Sequence, residues 1–305
     1  MGSTGAPVIQ SGIRDLKEYA LRLSDVSYWR PHILELARRH SLAADEVEAG
    51  VRGTYPTFMT ADCVFKFFGP LFDGLTAHRV EVMTYSSVLE KALHLPVPRL
   101  VASGWLAADW CFLILSRVEG VPWRSASVTP LERRGVAEMV GSTIRAIHGL
   151  EIAADALPVA PSTTLEDVLR RQHAWGTLPR RLIDQIPGCY HELDLRPRLI
   201  HADLHADHIF VDGDRLTGII DWSDAHLQDP FMELPALHLG CFEGDKTLLR
   251  SFLTGYGWKL DQSFAHRAMS ATLMHEFDVL TDVDGIVDLD AIPNLESLAY
   301  ALWAV

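Results

Sequence analysis

The sequence predicts an α+β fold built as two lobes, with a small N-terminal lobe around an antiparallel sheet and a larger, mainly helical C-terminal lobe. At 305 residues the chain is about twice as long as a typical domain. Strand-like apolar segments are concentrated in its first 120 residues, and helical periodicity dominates the remainder. We therefore expect the lobes to span residues 1–116 and 117–305, with a cleft at 116–120.

The N-terminal lobe begins with a helical pattern over residues 13–49. A stretch rich in Gly, Thr and Pro then leads to the apolar strand Cys63–Phe68, which a Gly-Pro pair ends. A helix is expected over about 77–93, followed by a second apolar strand, Trp110–Leu115. Together these elements make up the predicted sheet-bearing lobe.

The C-terminal lobe is predicted to be helical apart from one β segment at 209–221. Apolar residues recur there with a period close to 3.6, which indicates helices with one buried face. The predicted helices span 131–150, 165–175, 246–257, 262–280 and 294–303.

The net charge of −13 is placed unevenly along the chain. Residues 1–199 carry 22 basic and 22 acidic side chains, whereas residues 200–305 carry 5 and 18. An acidic surface repels phosphate backbones and anionic lipid headgroups, so we expect no nucleic-acid or membrane partner. It favours instead a cationic ligand or a metal ion.

The cysteines and the apolar runs both favour a cytoplasmic protein. The four cysteines are far apart and have no CxxC spacing, which is typical of reduced thiols. The longest fully apolar run, Trp110–Leu115, is far shorter than the roughly 18 residues that cross a bilayer. The first twenty residues have no apolar signal-peptide core.

The densest polar cluster of the sequence surrounds a predicted β-hairpin. The apolar runs Ile209–Val211 and Leu216–Ile220 flank an Asp-Gly-Asp turn. This pairing places His208 opposite Asp221, with Asp203 in the loop that precedes the hairpin. Three such groups together would repel each other or lie unpaired without a cation, so the pattern predicts a cation-binding site.

Two kinds of metal chemistry fit this cluster. In phosphoryl transfer by kinases, an Asp positions the acceptor hydroxyl, a ligand five residues later binds Mg²⁺, and a further Asp binds Mg²⁺ at the phosphates. Asp203, His208 and Asp221 have this spacing, although the kinase pattern has Asn at the second position. The alternative is a zinc hydrolase, because Asp203-x-His205-x-Asp207-His208 resembles the metallo-β-lactamase pattern with its first His replaced.

The kinase interpretation also requires a lysine on an upstream strand that neutralises phosphates and pairs with a glutamate of the next helix. Lys66 is the only charged residue in Cys63–Phe68, and a lysine in a buried strand needs a charged partner. Glu81 is the expected partner, with Glu90 as the alternative.

These motifs together resemble the aminoglycoside phosphotransferase family, a branch of the protein-kinase-like fold. The resemblance covers nearly the whole chain. It is carried by Val64-Phe-Lys66, Pro96-Val-Pro-Arg-Leu100, Leu113-Ile-Leu-Ser-Arg-Val-Glu-Gly120, Ile147-His-Gly, His201-Ala-Asp-Leu-His and Ile220-Asp-Trp-Ser-Asp-Ala225.

Within the family, the chain is most similar to the kinases that phosphorylate the 7″-hydroxyl of hygromycin B. The similar stretches are short and scattered, but they keep their order and spacing up to Leu302-Trp303. They are Tyr28-Trp-Arg-Pro, Phe65-Lys-Phe-Phe-Gly69, Gly120-Val-Pro-Trp-Arg-Ser125, Leu237-His-Leu, Gly244-Asp and Met274-His-Glu-Phe-Asp-Val279.

The resemblance implies a role for each residue of the hairpin cluster. Asp203 would be the catalytic base that positions the acceptor hydroxyl, and His201 would brace the catalytic loop. Asp221 and His208 would hold the metal ions at the nucleotide phosphates. The family mostly has Asn in place of His208, although the kinases of the 2″-hydroxyl type are similar in carrying His. Because Mg²⁺ prefers oxygen ligands, the second metal would be weaker, or Mn²⁺ would replace Mg²⁺.

The resemblance also implies where ATP or GTP would bind as co-substrate. Lys66, oriented by Glu81, would bind the α- and β-phosphates. The backbone from Ser116 to Val118 would bind the adenine edge. The turn at Gly53-Thr54 would cover the phosphates, although it is not a G-x-G-x-x-G loop.

The acidic excess of the last third predicts the acceptor. In this fold the C-terminal helices line the acceptor site, so carboxylates there would bind a polycationic aminocyclitol antibiotic through charge-assisted hydrogen bonds. The strongest candidates are Glu276 and Asp278. The full set is Asp224, Glu243, Asp245, Glu276, Asp278, Asp282 and Asp284.

The sequence thus predicts a monomeric or weakly dimeric kinase that inactivates an aminoglycoside and confers resistance to it. Besides the zinc hydrolase, two alternatives stay open at this stage. A kinase of another cationic metabolite, such as choline or an amino sugar, would share every motif and differ only in its acceptor wall. A catalytically inactive relative would bind nucleotide without turnover, and His208 is the feature that points to it.

Overall fold

The computed structural model describes residues 13, 15–51, 53–153, 157–160, 163–190, 193, 197–283 and 285–305. The chain forms two compact units. The first contains the residues up to Leu93 together with Val97–Val118, and the second contains His94–Pro96 and Glu119–Val305. The first unit carries a five-stranded sheet and the second is mainly helical, so the predicted α+β class is confirmed.

All strand pairs in the sheet of the first unit are antiparallel, as predicted, and the strand order is β1-β2-β3-β5-β4. The expectation of helix throughout 13–49 was wrong, because Asp25 caps a new helix and the segment ends in a strand. The elements are α1 (Leu16–Arg22), α2 (Val26–Arg39), β1 (Glu48–Ala49), β2 (Thr57–Met59), β3 (Cys63–Phe68), α3 (Gly74–Met83), β4 (Leu100–Ala107) and β5 (Trp110–Ser116).

The alternation of side chains along β3 explains the position of Lys66. Phe65 and Phe67 point to one face of the sheet, where Trp29 of α2 stacks on Phe67 with ring centroids 4.3 Å apart. Lys66 therefore points to the opposite face, where α3 packs. One face of β3 thus builds the core, and the other can present a charge to a helix.

The second unit contains seven α-helices and five strands among its described residues, besides short 3₁₀ turns and a π-helix over Ala236–Cys241. The helices are α4 (Pro130–His148), α5 (Leu165–Trp175), α6 (Arg180–Ile183), α7 (Ile186–Cys189), α8 (Lys246–Tyr256), α9 (Phe264–Met274) and α10 (Leu295–Trp303). The strands are β6 (Val121–Pro122), β7 (Arg198–Ile200), β8 (Ile209–Asp212), β9 (Arg215–Ile219) and β10 (His226–Gln228).

Helices α4 and α8 pack closely because each places a glycine at the contact. A Cβ on Gly141 would lie 2.1 Å from the Phe252 carbonyl oxygen, and one on Gly255 would lie 1.9 Å from that of Glu138. A larger residue at either position would force the helices apart. The capping box of Thr129 and Glu132 fixes the start of α4.

The helix predictions for the second unit agree with the structure except at 262–280. There α9 ends at Met274, and residues 275–278 form a loop before a 3₁₀ turn at Val279–Val283. The short strands β7 and β10, which pair with each other, were not predicted. None of the described helices is both long and apolar enough to cross a membrane.

Candidate active site

The first unit contains a buried ion pair between β3 and α3. Lys66 Nζ lies 2.7 Å from Glu81 Oε2, and the two side chains are 6% and 0% exposed. Lys66 also lies over the ring of Phe68, 5.4 Å from its centroid. Glu90, the alternative partner, is exposed in a separate turn, so the predicted pairing with Glu81 is confirmed.

The segment predicted to bind adenine follows β5. The amide of Ser116 donates to the carbonyl of Arg99, and the amide of Arg117 donates to the carbonyl of Asp62. In the described part of the chain the amide of Val118 has no hydrogen-bond partner, so it is the donor of this segment that remains for a ligand. Thr54 is exposed in the connection between β1 and β2, and its carbonyl accepts from Tyr19.

In the second unit, β7 leads directly into the predicted catalytic loop, where His201 is fully buried. Its Nε2–H donates to the carbonyl of Ile220 at 2.7 Å, and its Nδ1 accepts from the amide of Asp203 at 3.3 Å. These two roles require a neutral ring, and burial lowers the pKa of His201 accordingly. Ala202 has a φ of +69°, an unfavourable conformation that turns the loop at this point.

The carboxylate of Asp203 lies among histidines. Its Oδ2 is 3.5 Å from His205 Nε2 and 3.7 Å from His208 Nδ1. Burial opposes its ionisation, but the hydrogen bond from His205 and the positive charge that His208 and His205 carry when protonated outweigh burial and lower the pKa of Asp203. Asp203 is therefore ionised at neutral pH.

The hairpin brings His208 and Asp221 together as predicted, but in a different register. A bulge between Phe210 and Val211 places His208 opposite Ile220, whose amide donates to the His208 carbonyl at 3.0 Å. Asp221 has a φ of +62°, and its carboxylate Oδ2 still lies 3.7 Å from His208 Nε2. The side chains therefore converge because of the turned backbone at Asp221.

The tautomer of His208 suits it to hold a divalent cation with Asp221. Its Nδ1–H donates to the carbonyl of Asp203 at 2.8 Å, so a neutral ring directs the Nε2 lone pair towards the Asp221 carboxylate. A nitrogen and an oxygen at this separation can share one ion. The residues present thus fit a metal such as Mg²⁺, with one nitrogen ligand in place of an oxygen.

Two of the residues predicted to bind the phosphoryl-accepting substrate, Asp224 and Glu276, line one small cavity of the second unit. We call it the acidic cavity. Its lining residues are Ile200, Ala202, Asp224, His226, Gln228, Met232, His275, Glu276 and Phe277. Burial and the negative charges of Asp221 and Asp203 raise the pKa of Asp224. The cavity is therefore a place where an added positive charge is favourable.

The other residues predicted to bind this substrate lie outside the lining of the acidic cavity. Glu243 is exposed in a turn with a φ of +51°. Asp278 accepts a hydrogen bond from the Thr177 hydroxyl, and Asp245 caps α8. Asp284 and the side chain of Asp282 lie outside the described residues.

Glu233, which the sequence did not single out, anchors the loop that follows β7. Its Oε1 accepts from the amide of His201 at 2.6 Å and lies 3.5 Å from His148 Nε2, and Glu233 is 1% exposed. A signal was present, because Glu233 is the only acidic residue in the apolar stretch 230–240. The same signal had identified Lys66.

Comparison with known proteins places the chain in a family. The family model described as "Phosphotransferase enzyme family" matches residues 78–271. Among curated proteins, the lysine-specific demethylase JMJ21 of Arabidopsis thaliana is 28% identical over 148 residues, which cover 40% of this chain. That match spans only 16% of the plant protein.

Solved structures with this fold include several aminoglycoside phosphotransferases. The GDP and kanamycin complex of APH(2″)-IIIa has a TM-score of 0.61 at 19% identity, over 88% of this chain and 97% of that one. APH(3″)-Id from Streptomyces rimosus has a TM-score of 0.57 at 21% identity, over 85% and 99%. The ADP and spectinomycin complex of APH(9)-Ia has a TM-score of 0.59 at 13% identity, over 89% and 97%. At these identities the similarity shows a shared kinase-like fold.

Proposed function

Because this chain belongs to the phosphotransferase enzyme family, we propose that it transfers the γ-phosphoryl group of ATP or GTP to a hydroxyl of an aminoglycoside. The observation that carries this proposal is the arrangement around Asp203. An ionised carboxylate stands beside an imidazole–carboxylate pair that fits a divalent cation, as phosphoryl transfer requires.

Asp203 would act on the acceptor hydroxyl. Its carboxylate orients the hydroxyl for in-line attack and accepts the proton as the new P–O bond forms. His201 keeps this carboxylate in place, since it accepts from the Asp203 amide and donates across to Ile220. Glu233 fixes the other side of the loop through the His201 amide.

Lys66 would contact the α- and β-phosphates of the nucleotide, with Glu81 fixing the direction of its ammonium group. Val118 would donate its amide to the base. His208 and Asp221 would hold Mg²⁺, which when bound supplies positive charge at the phosphates. These assignments rest on the buried ion pair and on the ligand spacing described above.

The acidic cavity supports a cationic acceptor. The Nδ1–H of His226 donates to the Asp224 carbonyl, so the Nε2 of a neutral ring is an acceptor. Within the described residues, neither this Nε2 nor Gln228 Oε1 has a hydrogen-bond partner, and both are buried. With the carboxylates of Asp224 and Glu276, the polar side chains there form a set of acceptors that an ammonium group can satisfy.

Within this class we propose an acceptor of the hygromycin B type. Support comes from the short ordered stretches of similarity in the sequence. Solved structures with this fold include complexes with kanamycin, gentamicin, streptomycin and spectinomycin, so the fold accommodates ligands of several shapes.

The proposal is tested by measuring nucleotide consumption with a panel of acceptors. The panel contains hygromycin B, kanamycin, streptomycin and spectinomycin, with choline and glucosamine as amine controls, each with ATP and with GTP. We expect turnover with an aminoglycoside and an upward mass shift of one phosphoryl group in the product. Turnover with choline or glucosamine alone would assign the chain to the metabolite kinases, and nucleotide binding without any turnover would indicate an inactive relative.

A further inference from the structure

The catalytic loop brings one carboxylate and two imidazoles close enough to share an ion. One donor atom from each of Asp203, His205 and His208 lies within 4.8 Å of the other two. Asp203 Oδ2 is 3.5 Å from His205 Nε2 and 3.7 Å from His208 Nδ1. Tetrahedral zinc with ligand bonds of about 2.0–2.1 Å places its ligands roughly 3.3 Å apart. The rings of His205 and His208 now stack with centroids 3.8 Å apart, so one of them must turn before both nitrogens and the oxygen reach zinc-binding distances.

Each imidazole has a second carboxylate beside its other ring nitrogen. His205 Nδ1 lies 3.7 Å from Asp207 Oδ2, and His208 Nε2 lies 3.7 Å from Asp221 Oδ2. In transition-metal sites a histidine ligand donates its other N–H to a carboxylate or carbonyl, which orients the ring and strengthens the ligand. For His205 and His208 a carboxylate therefore lies 3.7 Å from the nitrogen that zinc would leave free, close enough to become this partner when the ring turns.

We propose that Asp203, His205 and His208 form a Zn²⁺ site, and that zinc bound there inhibits phosphoryl transfer. The ligand set of two nitrogens and one oxygen suits zinc better than magnesium, and zinc binds such sets more tightly than most divalent ions. The inhibitory part rests on the proposed function. The binding part stands on the geometry of the loop alone.

Zinc and magnesium would use opposite tautomers of His208. Without zinc, Nδ1 carries the proton and donates it to the Asp203 carbonyl, which leaves Nε2 for a cation beside Asp221. Zinc at Nδ1 displaces this proton, and the ring carries it on Nε2 instead, from which it can form a hydrogen bond to the Asp221 carboxylate. Magnesium then loses its imidazole ligand. The Asp203 carboxylate, occupied by zinc, can no longer receive the proton of the substrate hydroxyl.

His205 undergoes the same exchange. Its Nδ1 accepts from the Asp207 amide at 3.2 Å, so the neutral ring carries its proton on Nε2, towards Asp203. Zinc at Nε2 moves the proton to Nδ1, towards the Asp207 carboxylate.

The binding test uses the full-length, metal-free protein without nucleotide. Equilibrium dialysis should give one bound Zn²⁺, which millimolar Mg²⁺ does not displace, and Co²⁺ should give the intense visible absorption of a tetrahedral site. His205→Asn should weaken zinc binding at least tenfold, and Asp207→Asn about 10–100-fold. The matched control is His173→Asn, because His173 is exposed on α5 and should leave binding unchanged.

Equal zinc affinity in the wild type and in folded His205→Asn would overturn the site, as would a weak, octahedral Co²⁺ spectrum. With saturating magnesium nucleotide, zinc should reduce turnover reversibly, and the concentration for half inhibition should rise at least tenfold in His205→Asn. Zinc that binds without inhibiting would overturn the inhibitory role. If no acceptor supports turnover, the proposed function fails while the dialysis still decides whether the site exists.

Discussion

The two charged clusters of this protein are built in opposite ways. The Lys66–Glu81 pair of the first unit is almost completely buried between a strand and a helix. The cluster of Asp203, His208 and Asp221 in the second unit is partly exposed, with side chains 14–31% accessible, and it stands on turned backbone. In a buried ion pair, each charged group is held in a fixed orientation by its partner. The groups of a solvent-accessible cluster can instead exchange protons and ions with water.

The difference shows in what each cluster depends on. Lys66 is held by the packing of β3 against α3, which regular secondary structure provides. The second cluster depends on residues with positive φ, Ala202 and Asp221, and on the buried Glu233 that anchors the His201 amide. Strain of this kind persists only where the surrounding structure enforces it. We therefore expect the first cluster to respond to mutation mainly in stability, and the second mainly in turnover.

The largest effect should come from Asp203→Asn, which keeps the shape of the side chain but removes the base. We expect kcat to fall by about 10²–10⁴-fold, the usual contribution of a positioned general base. The free energy of unfolding should change little. Steady-state kinetics and thermal unfolding measure the two effects. The control is Asp214→Asn in the exposed hairpin turn, and turnover that survives Asp203→Asn would refute the role of this carboxylate.

Lys66→Met should test the buried pair. Removing one partner of a buried ion pair lowers the free energy of unfolding by about 3–5 kcal/mol, because the other charge stays buried. Chemical denaturation measures this loss. The double variant Lys66→Met/Glu81→Leu should recover most of the stability but not nucleotide binding. If it recovers both, Lys66 has only a structural role.

Glu233→Gln should have a smaller effect that separates positioning from chemistry. A hydrogen bond to a charged acceptor is stronger than one to a neutral amide by roughly 1 kcal/mol, so we expect kcat to fall about fivefold to tenfold. The KM for nucleotide should stay unchanged, because Glu233 contacts the loop backbone. Glu296→Gln, at an exposed glutamate of α10, is the control. A rise in KM with unchanged kcat would contradict the positioning role.

The smallest effect is expected for His208→Asn, which replaces the nitrogen ligand by an oxygen ligand. Because Mg²⁺ prefers oxygen, turnover with Mg²⁺ should be kept or should rise several-fold, and the preference for Mn²⁺ should fall. Turnover measured with each ion at saturating nucleotide gives this ratio. A loss larger than that of Asp203→Asn would count against His208 as a metal ligand.

The sequence predicted which charged side chains meet better than it predicted the boundaries of the elements around them. Lys66 and Glu81 were found because a single charge in an apolar strand needs a partner, and local pattern shows this. Glu233 carries the same signal but was missed, because its partner is a backbone amide far away in sequence. Strands β4, β7 and β10 were also missed, because β4 alternates exposed and buried residues and the other two are three residues long.

By itself the sequence determined the α+β class, the amphipathic helices of the second unit and the residues that make up the candidate site. These follow from periodicity, capping and charge placement, which are local along the chain. Only the tertiary structure decided the register at His208, the turned backbone at Ala202 and Asp221, and the grouping of Asp224 and Glu276 at one cavity. Such features depend on contacts between residues distant in sequence, whose pairing no local pattern encodes.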